Sequence, residues 1–112
     1  MNQHITSDDQ NRLDELCNTI RLLVGQRDFA KCESLLSEAM SKYPHSPEPH
    51  NLLGVLFEIK GDHAAAMKHF RAAWALDPTY LPARHNLDLY GTFEAKGNCA
   101  FDESDCLKDE DK

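Results

Sequence analysis

Residues 53–78 read LGVLFEIKGDHAAAMKHFRAAWALDP. Leu53 and Phe57, then Ala66, Phe70 and Ala73, recur at the three- and four-residue spacings that place side chains on one face of a helix. Gly61-Asp62 interrupts them with a turn residue followed by a helix cap. The stretch is therefore two helices joined by a tight turn, with Gly54 and Ala73 small where the helices cross closely. The pattern repeats: Pro44 precedes Pro78 by 34 residues, and Leu23, Asp28, Leu36 and Ala39 fall in register with Phe57, Asp62, Phe70 and Ala73. A fixed period of this length marks stacked helical hairpins, none of which can bury its apolar face without a neighbour. Function in such an array is expected on a surface.

The order Leu53-Gly54, Phe57, Gly61-Asp62, Ala66, Phe70, Ala73 and Asp77-Pro78 resembles the tetratricopeptide repeat. His50 stands where that family often has Trp or another large apolar residue. Residues 13–43, closed by Pro44, match less fully, with Thr19 and Ile20 at the Leu-Gly positions and Arg27 in place of the turn glycine. Tyr80, Ala83, Asn86 and Leu87 resemble the opening of a third unit. The resemblance spans about residues 10–96 and implies an all-α fold. That fold is a right-handed superhelix of two helix-turn-helix repeats plus one capping helix.

The caps set boundaries. Ser7 with Gln10 has capping-box form, so a first helix is expected from about Asp8 to Gly25. Asp28 caps a second helix reaching Lys42, and Ser46 with Pro47 opens a third that ends near Lys60. Asp62 caps a fourth that runs to Leu76, and a fifth begins within 79–82 and stops before Gly97. Arg84, Asp88 and Gly91 make its second face polar, as a solvating end cap requires. The expected organisation is a flexible stretch at 1–7, repeat one at about 13–46, repeat two at 47–80, a capping helix at 81–96 and an acidic, disordered tail at 97–112.

The chain has 112 residues and a net charge of −7, of which six acids and two bases in 97–112 supply −4. Scattered bases among more numerous acids argue against nucleic acid. No apolar run is long enough for a membrane helix, and His4, Asp8 and Asp9 are unlike a secretory leader, so a cytoplasmic protein is expected. The tail is expected to solubilise, to dock on a basic partner, or to shield the domain's own groove. Cys32, at the place of Ala66, is expected in the core. Cys99 and Cys106 have neither C-x-x-C nor zinc-finger spacing, and no H-E-x-x-H, nucleophile elbow or phosphate loop occurs. The six histidines are expected in surface or half-buried structural places. No catalytic residue, cofactor or metal is assigned.

In the tetratricopeptide class the first helix of each hairpin lines a concave groove. The resemblance then implies a partner-binding face made by Cys17, Asn18 and Arg21, by Asn51, Leu52, Val55, Glu58 and Ile59, and by His85, Asn86, Leu89 and Phe93. Exposed Leu52, Val55, Ile59, Leu89 and Phe93 suit an amphipathic helix or an extended apolar peptide of another protein, and Asn51 and Asn86 suit its backbone. The Lys and Asn clamp that some members use for a C-terminal carboxylate is incomplete here, with Cys17, Arg21, Leu52, Pro82 and Asn86 on the corresponding stretches. The expected function is that of a non-enzymatic adaptor. The alternatives are a homodimer that hides this face and a metal- or redox-responsive regulator using the tail cysteines.

Overall fold

The computed structural model describes residues 5–91 and 98–110, and among these the chain is all-helical, with six helices and no strand. They are α1 (Ser7–Gly25), α2 (Phe29–Lys42), α3 (Pro47–Ile59), α4 (His63–Leu76), α5 (Leu81–Tyr90) and α6 (Glu103–Glu110).

Local chemistry accounts for the ends. Thr6 caps α1: its hydroxyl accepts from the Asp9 amide at 3.0 Å and Asp9 turns back to the Thr6 amide. The capping box thus lies one residue before the expected Ser7 and Gln10, because Gln10 is drawn away to Asp14 and Glu48. Ser7, within the stretch 1–7 expected to be flexible, is itself helical, and residues 1–4 lie outside the described residues. Asp28 and Asp62 cap α2 and α4 by accepting the amides of Lys31 and Ala65. The residues before them, Arg27 and Gly61, share a left-handed backbone (φ 61° and 90°), so the turn recurs at the sequence period with or without glycine. α3 and α5 each begin with a proline in the first turn, where a missing N–H costs no hydrogen bond.

α3 is the centre of the packing: it touches α1, α2, α4 and α5, and α4 also packs on α5. The α3–α4 crossing is close because Gly54 has no side chain. A Cβ there would lie 2.8 Å from Cζ of Phe70, and nearer still to two other carbons of that ring. Phe70 is fully buried with Val55 and Ala66 and stacks on Tyr90 at 5.9 Å. A second apolar cluster joins Cys17, Ile20, Leu23, Cys32 and Leu36 of the first two helices to Leu52 and Leu56 of α3.

Two further expectations change. α5 ends at Tyr90, and the rest of the stretch assigned to a capping helix, 92–96, lies outside the described residues. Arg84 and Asp88 are exposed on α5, 3.6 Å apart. The tail expected to be disordered instead carries α6, which packs on α5, and Ala100 and Cys106 are buried. No described helix is long and apolar enough to cross a membrane.

Candidate functional site

The site is the face shared by α1, α3 and α5, and residues 98–106 lie on it. Its geometry begins with two buried amides 35 residues apart. Asn51 on α3 and Asn86 on α5 are both fully buried. Asn51 donates to the carbonyl of Ala100 at 3.0 Å, Asn86 donates to the same carbonyl at 2.9 Å, and Oδ1 of Asn86 accepts the Ala100 amide at 2.8 Å. Nδ2 of Asn86 also reaches Oδ1 of Asn51 at 2.8 Å. Both polar groups of one peptide residue are therefore held by side-chain amides, which satisfies a backbone that would otherwise be buried without partners.

Phe101 follows. It packs against both apolar clusters, and the Arg21 guanidinium lies over its ring, 5.3 Å from the centroid. Arg21 pairs with Asp102 at 3.0 Å and Asp105 at 2.9 Å. Burial opposes ionisation of Asp102, but hydrogen bonds from Ser104 and Arg21 outweigh it and hold the carboxyl below the usual range. Asp102 accepts from the amide and hydroxyl of Ser104, while Asp105 accepts from the amides of Phe101 and Asp102, so the same acids that meet Arg21 also start α6. On the other side of Ala100, Nε2 of His85 meets the Asn98 carbonyl at 2.8 Å. Cys99 packs against the cluster of Val55 and Phe70, and burial pushes its thiol pKa up.

The sequence-assigned face is thus brought together, but not as an open apolar trough. Leu52 and Val55 have no exposed surface and Leu89 is buried. Leu52 is buried against α1 and α2, and Val55 beneath Phe70, Cys99 and Phe101, so neither is available to a partner as expected. Ile59 stays 40% exposed and Asn18 is exposed. Glu58 is half-buried and paired with His63, and Phe93 lies outside the described residues. Cys17 is buried as well, with its thiol pushed up to about 12 by burial and by Glu48. The described cysteines carry no disulfide, and no cluster of metal-ligating side chains occurs among the described residues.

Towards the start of α3 the same face stays open, as a cavity of about 450 Å³ between α1, the Asp77–Tyr80 turn and the start of α6. Asp14, Glu48, Asp77, Asp102 and Glu103 line it, with Gln10 and Tyr80. Sequence reading did not find this cavity, since its carboxylates come from four separate segments and its outer wall is the tail.

A pair also missed from sequence lies on the α3–α4 side. His50 and His69 meet through their Nδ1 atoms at 3.1 Å, and Phe57 stacks on His69. His50 thus fills the place of a large apolar residue by ring packing. No known protein family, curated protein or solved structure shows significant similarity to the chain.

Proposed function

We propose that this chain is a non-enzymatic protein-interaction module of the tetratricopeptide class, a right-handed superhelix of two hairpins closed by α5. Its concave face receives an extended polypeptide segment. The observation that carries this reading is the pair Asn51 and Asn86, whose buried amides engage the backbone of Ala100 and ignore its side chain. Backbone capture with an adjacent aromatic anchor is a general mode of peptide recognition. Here residues 98–106 occupy the face, so a partner's segment enters by displacing them. An intramolecular occupant acts at high effective concentration, and the partner must exceed it by avidity or by local abundance.

The test severs the connection in the folded protein. A protease site placed within 92–97 is cut after folding, and retention of 98–112 is followed by size exclusion and by exchange with a fluorescent copy of the same peptide. Retention with exchange supports the module, and loss of rebinding on Asn86→Ala places it at the asparagine pair. Unfolding of the remaining helices when the segment leaves would show a structural element with no exchangeable occupant.

A further inference from the structure

Four side chains of the docked segment each meet a distinct demand of the face. Ala100 has no exposed surface while its amide and carbonyl are held by Asn51 and Asn86 at 2.8 to 3.0 Å, so a larger side chain there forces the two amides apart. Phe101 packs against both apolar clusters and lies under the Arg21 guanidinium, which calls for an aromatic ring in place of an aliphatic chain. Asp102 and Asp105 meet the same Nη2 of Arg21, at 3.0 Å and 2.9 Å. Their spacing is set by the backbone, because Asp105 also accepts the amides of Phe101 and Asp102 and so starts a helix directly after the ring. Glu103 and Ser104 are exposed, so the two positions between the aspartates are open to other residues.

We infer that the partner polypeptide carries this same chemistry: a small residue, then an aromatic one, then aspartates at the first and fourth positions after the ring. The inference rests on the proposed function, which makes the docked segment exchangeable, and adds the chemistry of what enters. Acidity alone is not enough. The chain carries a net charge of −7, so its field opposes the approach of an acidic segment, and only the register that brings two carboxylates to Arg21 recovers that cost. Asparagine in place of either aspartate keeps an acceptor for the backbone amides and loses the charge that meets Arg21. Arg21 therefore sets the charge preference, and Asn51 and Asn86 set the size limit beside the ring.

The probe is a fluorophore-labelled synthetic peptide of residues 98–106 with Cys99→Ser and Cys106→Ser, titrated into the full-length chain bearing Asp102→Asn and Asp105→Asn. That chain keeps the face but holds its own segment less tightly, which lets a free peptide compete with a tethered one. Unlabelled peptides then displace the probe, and their order is the readout. Relative to the parent peptide, Phe101→Leu, Asp102→Asn and Asp105→Asn are each expected to bind about fivefold more weakly, and Ala100→Leu about tenfold. A scrambled peptide of the same composition is expected not to displace the probe. In a chain that also carries Arg21→Gln, the parent peptide and its two asparagine variants are expected to bind alike. Displacement by the scrambled peptide, undiminished binding of Ala100→Leu, or a preference for aspartate that survives Arg21→Gln would overturn the inference. If the doubly substituted chain does not keep the parent's helical circular dichroism, Asp102→Asn alone takes its place, since Asp105 then still starts α6. A panel that binds without rank overturns this inference and leaves the exchangeable face standing, whereas a parent peptide that does not bind overturns both.

Discussion

Asn86 donates to Asn51 at 2.8 Å, and the two amides converge on the single carbonyl of Ala100. Each side chain orients the other, so removing one disorganises both. Asn86→Ala strands the Ala100 amide and the Asn51 carbonyl, each a buried group whose desolvation costs about 1–3 kcal/mol. The chain can avoid that cost by releasing residues 98–106 into water. The expected outcome in native-state hydrogen exchange is a large loss of protection at Ala100 and Phe101 with the α3 and α4 amides little changed. Uniform loss of protection through all helices would show that the segment and the hairpins form one cooperative unit.

Leu52 carries the opposite expectation. It is sealed among Cys17, Ile20, Leu36 and Leu56, so Leu52→Asp places an unpaired carboxylate in the contact between the two hairpins. A loss above about 3 kcal/mol is expected, from the cavity and the buried charge together. Denaturant unfolding that showed near-parent stability would return Leu52 to the binding face.

The hairpins were legible because their signals are local. Proline and aspartate caps, the 34-residue register and the small residue at the crossing each act within a few residues of themselves. Arg27 shows how far that logic reaches: the left-handed turn forms where the glycine is missing, since Asp28 and the helices on either side impose it. Burial of Leu52 and Val55 was not legible, because periodicity says which residues share a helical face and not which segment covers it. The docking of 98–106 was legible only as one of three uses for the tail, the shielding of the domain's own groove. An acidic composition reads as solvated, and the anchors that overrule it are Phe101 and one cation, Arg21, some 80 residues away.

Arg21 is therefore the place to test the electrostatic part of docking. Its guanidinium reaches Asp102 and Asp105 and lies over Phe101, whereas Arg21→Gln removes the charge and keeps a planar amide for the contact with the ring. The group is about one-third exposed, which limits the expected cost to about 1 kcal/mol of docking free energy. In the severed protein this appears as faster release of 98–112, and the difference from the parent shrinks at 0.5 M salt. A salt-independent difference would assign the effect to packing on Phe101.

Gly54→Ala tests the hairpin crossing. In an exposed helix interior the change stabilises by about 1 kcal/mol. Here the added methyl meets the Phe70 ring, which is fully buried and stacked on Tyr90 and so has no free space to yield. A net loss of about 1–3 kcal/mol is expected in chemical denaturation. Combining it with Phe70→Leu should recover part of that loss, a non-additivity that arises only if the two residues compete for the same volume.

The pairing of His50 with His69 predicts an acid-side instability. Burial lowers the pKa of both rings below the ordinary 6.5, and for His50 the neighbouring His69 lowers it further. The folded state thus binds fewer protons than the unfolded chain. Stability is complete above about pH 6.5 and declines as pH falls below it, through the lowered folded values. One ring must be a neutral acceptor for the 3.1 Å contact to persist, so protonation of both breaks the contact and places two cations beside Phe57. Glu48 titrates with the opposite sign, because burial raises its pKa and its protonation favours the fold as pH falls. That contribution is common to the parent and to His69→Gln, so the comparison between them isolates the histidines. Denaturant midpoints measured from pH 7.5 to 5 should fall more steeply for the parent than for His69→Gln. Parallel curves would mean that the two rings titrate independently of folding.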